Sequence, residues 1–334
     1  MTPAAPPIFI VGSGRSGTSI LRAALNAHPD IHLAQESALV RWLDRWPDLD
    51  GRAFRAAWEQ TASGRLQAPE PVQLAADATP ADAIRETLVA RARSRGKPRW
   101  GDKTPLHALH LDLLWRTLPD ARVIAMIRHP VPTVASLRRM PWGSGSVAVD
   151  AVLVQHAVSH LRDDPRLMRL RLEDLLDAPE DRLRDVLDFV AAPWDDRVLD
   201  PPTHADFSGD PRLPWLTTAE SRLAPAQARS VPLSPGEVGL VERICPPEPL
   251  GYARWERPAA AWHWPAGLAG LGRTVRFLWA VRKGALPSAD PAQLDAHDQL
   301  RWLLSLNPDA AAPELATRAL AAADRSRSST ESPS

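Results

Sequence analysis

The sequence of 334 residues contains a single cysteine, Cys245. One cysteine excludes an intrachain disulfide and a zinc site made of four cysteines. The chain also lacks net charge, because 40 acidic residues balance 40 basic ones. Nucleic-acid-binding chains usually carry a basic surplus, so this balance argues against a nucleic acid as the partner.

Long apolar runs and a basic leader are missing as well. The opening residues MTPAAPPIFIVG place no basic group before their apolar stretch, which is too short to span a bilayer. The least polar later region, residues 261–281, is interrupted by a histidine, a proline and two arginines. We therefore expect a cytoplasmic protein with no integral membrane segment.

Lysine is scarce. The chain has only Lys97, Lys103 and Lys283, so 37 of the 40 basic residues are arginines. Because arginine is the usual cation of this chain, a lysine at a special position is more informative than it would be elsewhere.

Apolar runs alternate with amphipathic segments along the first 200 residues. Residues 8–11, 122–128 and 166–171 predict buried strands, and residues 99–101 predict a short one. Helices are expected between them, among others from about Glu36 to Ala62, broken at Pro47, and from Ala81 to Ser94. This alternation predicts an α/β fold with a central parallel sheet and helices on both faces.

The chain divides into three parts by composition. Residues 1–257 are expected to form the α/β domain, residues 258–323 a C-terminal helical extension, and residues 324–334 a disordered polar tail. Within the first part, residues 201–235 are rich in proline, serine and threonine. They predict a long loop over the body of the domain, and such loops are often functional.

A glycine-rich loop follows the first strand and opens the first helix. Its sequence, GSGRSGTS at residues 12–19, fits the two glycines of the phosphate-loop pattern, but Thr18 stands at the lysine position. Backbone N–H groups, the helix N-terminus and Arg15 suit one compact anionic group better than a triphosphate with Mg²⁺. The candidate ligands are Gly14, Arg15, Ser16, Gly17, Thr18 and Ser19. A glycine-rich turn without a ligand is the alternative.

A second cationic position lies at the end of a later strand. Arg128 ends the strand, and Ser136 follows eight residues on, after Pro130 has opened a helix. Ligands of open parallel sheets bind beyond the carboxyl ends of the strands, so Arg15 and Arg128 are expected at one edge. Two cationic subsites there suit a ligand with two separate phosphates. A solvated strand-end arginine and a surface serine are the alternative.

These two segments together resemble the nucleotide-dependent sulfotransferases of the tyrosylprotein and carbohydrate type. Further likeness is carried by LNAHPDIHLAQES, WGDKTP, LRLEDLLDAPEDRLRDVLDFV and PLSPGEVGLVERICPPEPLGY, so that it covers residues from about 7 to 255. The chain departs from the family where His129 replaces a usual aspartate, and residues 201–235 match poorly. We expect His129 to organise its turn rather than to touch a ligand.

The resemblance implies a P-loop-like fold, 3′-phosphoadenylyl sulfate (PAPS) as sulfuryl donor, and no metal. It implies that the loop at Arg15 holds the 5′-phosphosulfate and that Arg128 and Ser136 hold the 3′-phosphate. It also implies Arg15 and Lys103 as catalytic cations and Glu36 as the base for an acceptor hydroxyl. His32 and His107 are rival bases, and Asp102 either orients Lys103 or helps to start the next helix.

The predicted function is transfer of a sulfuryl group to a hydroxyl, or to an amine, of a small-molecule, carbohydrate or peptide acceptor. Two alternatives remain open. One is a phosphate-loop kinase of small molecules, against which the missing loop lysine counts. The other is a nucleotide-binding relative that has lost catalysis and acts through a partner.

Overall fold

The computed structural model describes residues 5–61, 63–64, 70–140, 144, 146–201, 223 and 232–256. Within them, one sheet contains strands β1 (Ile8–Gly12), β2 (Ile31–Gln35), β3 (Arg99–Lys103), β4 (Arg122–Ile127) and β5 (Leu167–Arg171). The strands lie in the order β2-β3-β1-β4-β5, and every neighbouring pair is parallel. The predicted α/β class with a central parallel sheet is therefore confirmed.

Helices connect the strands in the described part of the chain. The bounds are α1 (Thr18–Ala27), α2 (Leu39–Arg45), α3 (Gly51–Glu59), α4 (Pro80–Ser94), α5 (Leu111–Thr117), α6 (Pro130–Leu137), α7 (Val147–Ser159), α8 (Leu172–Asp177), α9 (Pro179–Phe189) and α10 (Pro235–Ile244). Short 3₁₀ helices span Pro105–His110, Asp196–Leu199 and Glu248–Leu250.

Both faces of the sheet are covered, which explains why its central strands are apolar throughout. In β1, Phe9 and Val11 pack into a core with the helices on one side, α2 to α7 and α10. Ile8 and Ile10 point to the opposite side and pack against α1, α8 and α9. Strands buried on both faces read as continuous hydrophobic runs, and that is the pattern by which β1 and β4 were predicted.

Two of the helices begin at capping boxes. Thr79 accepts a hydrogen bond from the backbone N–H of Asp82, whose carboxylate in turn accepts one from the backbone of Thr79. Ser234 and Glu237 form the same arrangement at the start of α10. Each box satisfies N–H groups that a helix leaves open at its first turn, and this fixes where α4 and α10 start.

The prediction was wrong in detail between the first helix and Ala62. Residues 31–35 form a strand that the sequence did not predict, and Glu36 lies after this strand rather than at the start of a helix. The helical region expected from Glu36 to Ala62 consists of two helices, α2 and α3, and they are separated around Pro47, where the break was expected.

The strand order puts β1 at the centre of the sheet, between β3 and β4. From β1 the chain goes to the edge strand β2, returns to β3 beside β1, and then continues to β4 and β5 on the other side of β1. In such sheets the crevice for a ligand lies outside the carboxyl ends of the strands, where the strand order reverses. The residues that follow β1, β2, β3 and β4 at that edge are therefore the ones that can form a site.

Several predicted segments lie outside the described residues. These are most of the loop at 201–235, the helical extension at 258–323 and the tail at 324–334. Among the residues that the structure does describe, no helix is both long and apolar enough to cross a membrane.

Gly101 offers a test of how closely β1 and β3 pack. A Cβ atom at this position would lie 1.7 Å from the carbonyl oxygen of Ile8 on β1. We expect Gly101→Ala to lower the free energy of unfolding by about 3 kcal/mol, because the two strands must move apart. Urea unfolding measures this change.

The matched control is Gly236→Ala on α10, where a Cβ atom would meet nothing within 4 Å. This substitution should be neutral or stabilise the protein by about 0.5 kcal/mol, because alanine favours the helix. Equal stability of the two variants would contradict the packing described for β3.

Candidate active site

The glycine-rich loop curls between β1 and α1. The hydroxyl and the backbone N–H of Ser16 both donate to the carbonyl oxygen of Ser13, at 2.7 and 3.3 Å. Gly12 has φ +153°, and a Cβ atom there would lie 2.5 Å from the carbonyl oxygen of Met126 and 2.7 Å from Ser16 Oγ. Because a Cβ atom would clash on both sides, only glycine fits at position 12. The loop therefore packs tightly against β4.

The N-terminus of α1 has no side-chain cap among the described residues. Gly17 is its N-cap residue with φ 97°, and the first turn has no acidic residue. The first N–H groups of a helix need partners and carry a partial positive charge. An anion next to Gly17 would satisfy both requirements.

The loop after β1 and the turn after β4 contact each other. Arg15 Nε donates to Ser136 Oγ at 3.2 Å, and Arg128 Nη1 donates to the carbonyl oxygen of Arg15 at 3.1 Å. The structure thus brings Arg15, Arg128 and Ser136 together at the edge where the sequence predicted a two-phosphate site. Ser136 is buried, whereas the two arginines are partly exposed.

Lys103 and Glu36 form an ion pair beside this loop. Lys103 ends β3 and its side chain is completely buried. Its Nζ lies 2.5 Å from Glu36 Oε1 and 3.3 Å from Ser19 Oγ in the first turn of α1. Burial lowers the pKa of Lys103, and the Glu36 carboxylate opposes that shift. The Glu36 side chain is 37% exposed, so this carboxylate reaches the surface while the ammonium group lies beneath it.

Backbone strain is concentrated at the same edge. Of the four non-glycine residues with positive φ in the described chain, three lie here: Arg15 (65°), Glu36 (55°) and Ala38 (56°). A residue held in this region costs on the order of 1 kcal/mol or more, and it persists only where its surroundings hold it in place. Strain of this kind is typical of functional sites.

Asp102 is buried under Glu36 and faces away from Lys103. Adjacent strand residues point to opposite faces of a sheet, and Asp102 pairs with Phe9 while Lys103 pairs with Ile10. Burial raises the pKa of Asp102 to about 6, although hydrogen bonds from Thr104 and Ser37 oppose the shift. Asp102 therefore does not orient the ammonium group of Lys103 directly.

The two rival bases do not lie with Glu36 in the open part of the site. His107 is buried, its Nδ1 lies 3.4 Å from Asp102 Oδ2, and burial lowers its pKa well below the ordinary value. His32 occupies the second position of β2, away from the carboxyl end, and burial lowers its pKa to about 3. Both imidazoles are neutral core groups.

His129 organises the turn after Arg128, as expected. Its Nδ1 accepts a hydrogen bond from Val131 N at 3.2 Å and so caps α6, while its Nε2 donates to the carbonyl oxygen of Ala253 at 3.0 Å. The imidazole supplies the acceptor that an aspartate would supply at an N-cap. The departure from the family pattern at His129 thus keeps the turn intact.

The sequence reasoning missed Glu173 and Tyr252, which support the same turn. Glu173 accepts hydrogen bonds from His129 N at 3.2 Å and from Tyr252 Oη at 2.6 Å. The same Tyr252 oxygen lies 3.3 Å from the carbonyl oxygen of Ile127. The one available signal was composition, because Tyr252 is the only tyrosine in the chain.

Comparison with known families agrees with this geometry. The profile of the sulfotransferase family matches residues 6–196, which include every residue of the site described above except Tyr252 and Ala253. The chain belongs to the sulfotransferase family. In the part of the chain that the structure describes, no group of three or more histidine, cysteine or acidic side chains could hold a metal ion.

Several curated proteins are similar in sequence. The protein-tyrosine sulfotransferase of Drosophila melanogaster is 27% identical over 228 residues, which are 64% of this chain and 43% of the relative. Protein-tyrosine sulfotransferase A of Caenorhabditis elegans is 26% identical over 208 residues, 58% of this chain and 52% of the relative. Nodulation protein NoeE of Sinorhizobium fredii is 33% identical over 140 residues, which are 40% of this chain and 31% of the relative. The chain spans about half the length of the relatives it matches.

Two solved domains are similar in structure. The sulfotransferase domain of the Synechococcus PCC 7002 olefin synthase has a TM-score of 0.47 and 20% identity, covering 82% of this chain and 94% of that domain. The sulfotransferase domain from the curacin biosynthetic pathway has a TM-score of 0.49 and 19% identity, and the match covers 76% of this chain and 99% of that domain.

The raised pKa of Asp102 predicts a pH dependence of stability. In the unfolded chain Asp102 titrates near 3.8, and in the folded protein near 6. Between these values the unfolded state binds fewer protons, so the contribution of Asp102 to stability falls as the pH rises. Asp102→Asn removes this titration. When the pH is raised from about 5 to about 8, the free energy of unfolding of the wild type should fall by about 1 kcal/mol relative to that of Asp102→Asn.

Urea unfolding of both proteins at the two pH values measures this difference. The comparison isolates one group, because all other titrating groups are shared. A stability difference that is the same at both pH values would mean that Asp102 is not buried as described.

Proposed function

We propose that the chain transfers the sulfuryl group of PAPS to a hydroxyl, or to an amine, of an acceptor, without a metal ion. One observation carries the proposal: the loop after β1 and the turn after β4 meet through Arg15, Arg128 and Ser136. Two guanidinium groups and a hydroxyl at one edge suit a nucleotide that carries two separate phosphates.

The residues present fit this donor. Gly12 lets the loop pack against Met126 and Gly17 lets it pack against Leu172, so the loop can curl at the start of α1. In the described part of the chain, no side chain caps the first N–H groups of α1. In the proposal, residues 14–19 hold the 5′-phosphosulfate, and Arg128 and Ser136 hold the 3′-phosphate. When bound, PAPS would supply a sulfuryl group attached to a phosphate leaving group.

Lys103 is proposed to stabilise the charge that develops on the leaving oxygen. Its ammonium group lies against Ser19 in the first turn of α1, close to where the loop would hold the phosphosulfate. The N-terminus of α1 adds a partial positive charge at the same place, and Arg15 precedes it in the loop. Preorganised charge in a buried site stabilises a transition state more than the same charge in water.

Glu36 is proposed to accept the proton of the acceptor hydroxyl. Its carboxylate is partly exposed, and its second oxygen is not engaged by Lys103, which contacts Oε1. A base must lie within hydrogen-bond reach of the proton that it takes, and an exposed carboxylate at the mouth of the crevice meets this need.

The acceptor class, the location and the absence of a metal requirement belong to the same proposal. We propose a small-molecule, carbohydrate or peptide acceptor and a cytoplasmic protein. Relatives named as protein-tyrosine sulfotransferases support a phenolic hydroxyl as the first acceptor to examine.

Ligand-induced thermal stabilisation tests the donor site. At a concentration of about 100 times its dissociation constant, a ligand adds about 2.7 kcal/mol to the stability of the folded protein. We expect adenosine 3′,5′-bisphosphate to raise the melting temperature without added metal, and ATP with Mg²⁺ to have little effect. Arg15→Ala should abolish the stabilisation by the bisphosphate.

The matched control is Arg85→Ala, which removes an exposed arginine on α4 and should respond like the wild type. Protection by ATP with Mg²⁺ alone would favour a phosphate-loop kinase. Protection by the bisphosphate without any transfer from PAPS would favour a non-catalytic relative.

A further inference from the structure

The segment that carries Glu36, residues 36–38, is hydrogen-bonded to the end of β3 through each of its three backbone N–H groups. Glu36 N donates to the carbonyl oxygen of Lys103 at 2.7 Å. Ser37 N donates to Asp102 Oδ1 at 3.1 Å, and Ala38 N donates to Thr104 Oγ1 at 3.1 Å. Three consecutive residues of β3 and its extension thus accept from three consecutive N–H groups after β2.

Two further hydrogen bonds support the same segment, one from α3 and one between its two side-chain acceptors. Trp58 Nε1 on α3 donates to the carbonyl oxygen of Ser37 at 2.8 Å. Thr104 Oγ1 donates to Asp102 Oδ2 at 2.6 Å, which couples the two side-chain acceptors to each other. Asp102, Thr104 and Trp58 are all buried, so water does not compete for these hydrogen bonds.

These contacts explain why Glu36 and Ala38 keep a left-handed backbone. Their φ angles are 55° and 56°, in a region that side chains other than glycine rarely adopt. Neither residue has a short polar side chain that would stabilise this conformation locally. The hydrogen bonds to Asp102, Thr104 and Trp58 are therefore what holds it, and the backbone of Glu36 decides where its carboxylate points.

Asp102 lies between the segment after β2 and His107, whose Nδ1 is 3.4 Å from Asp102 Oδ2. It faces the side of the sheet opposite to the ammonium group of Lys103, and both of its oxygens are used, one by Ser37 N and the other by the hydroxyl of Thr104. Burying a carboxylate costs free energy unless its oxygens accept hydrogen bonds. The hydrogen bonds from Ser37 N and Thr104 offset this cost for Asp102, and in return Asp102 holds the segment after β2.

We propose that Asp102, Thr104 and Trp58 are positioning residues that hold Glu36 against Lys103 in the orientation needed to take the proton of the acceptor. The inference rests on the proposed function, since it assigns to Glu36 the role of base. The three residues act through the backbone of residues 36–38 and do not touch the substrate.

A pair of substitutions at Thr104 tests the positioning role directly. Thr104→Val removes the hydroxyl and keeps the shape, whereas Thr104→Ser keeps the hydroxyl. Crystal structures of the wild type and both variants should show Glu36 leaving its positive φ and Lys103 in Thr104→Val, and keeping both in Thr104→Ser. An unchanged Glu36 in Thr104→Val would overturn the proposal.

Trp58→Phe is the second variant, in case Thr104→Val does not fold. It removes the Nε1–H donor to Ser37 and keeps an aromatic ring in the core. Its crystal structure should likewise show a displaced Glu36, and a Glu36 that remains in place would count against the proposal.

Transfer from radiolabelled PAPS to a panel of phenols, sugars and water provides the functional readout. Misplacement of a catalytic group by about 1 Å can cost roughly 100-fold in rate. We expect Thr104→Val to lower kcat by roughly 10- to 100-fold, Thr104→Ser to restore most of it, and the affinity for adenosine 3′,5′-bisphosphate to stay the same. A Thr104→Val enzyme as fast as the wild type would overturn the positioning role.

The two readouts separate the two hypotheses. A wild type that transfers nothing from PAPS would contradict the proposed function, while the crystal structures would still decide whether Asp102, Thr104 and Trp58 set the backbone of Glu36. A wild type that transfers, with a variant that is slower only because it binds the bisphosphate more weakly, would contradict the positioning role alone.

Discussion

The contact between Arg15 and Ser136 joins the two halves of the sheet edge on which the site depends. Arg15 follows the central strand β1, and Ser136 lies on α6 after β4, 121 positions later in the sequence. Arg128 adds a hydrogen bond to the backbone of Arg15. Since parallel strands bring their carboxyl ends to one edge, this contact gathers two guanidinium groups at the place where ligands of such sheets bind.

Burial governs the rest of the site. Lys103 is fully buried beside the N-terminus of α1, where a cation is electrostatically unfavourable, and Glu36 supplies its counter-charge. The carboxylate in turn sits on a strained backbone that Asp102 and Thr104 hold from the end of β3. Each group in this series therefore depends on the next for its position. Charges held in place by such contacts are what catalysis by preorganised charge requires.

The sequence predicted the parts of the fold that local pattern determines. The strands β1 and β4 are continuous apolar runs between proline and glycine signals, and the rule for parallel sheets placed Arg15 and Arg128 at one edge. The strand β2 was missed because His32 and Gln35 interrupt its apolar pattern and its hydrogen bonds go to β3, 68 residues later. The left-handed backbone of Glu36 and Ala38 was equally hidden, because tertiary hydrogen bonds impose it against local preference.

The most direct measurement is the affinity for adenosine 3′,5′-bisphosphate relative to adenosine 5′-monophosphate, by titration calorimetry. If Arg128 and Ser136 form a second anion subsite, the bisphosphate should bind at least about 10-fold more tightly, and Ser136→Ala should remove about 10-fold of that preference. Ser94→Ala, on the exposed face of α4, should leave the ratio unchanged. Equal affinities in the wild type, or a preference that survives Ser136→Ala and Arg128→Ala, would contradict the two-phosphate site.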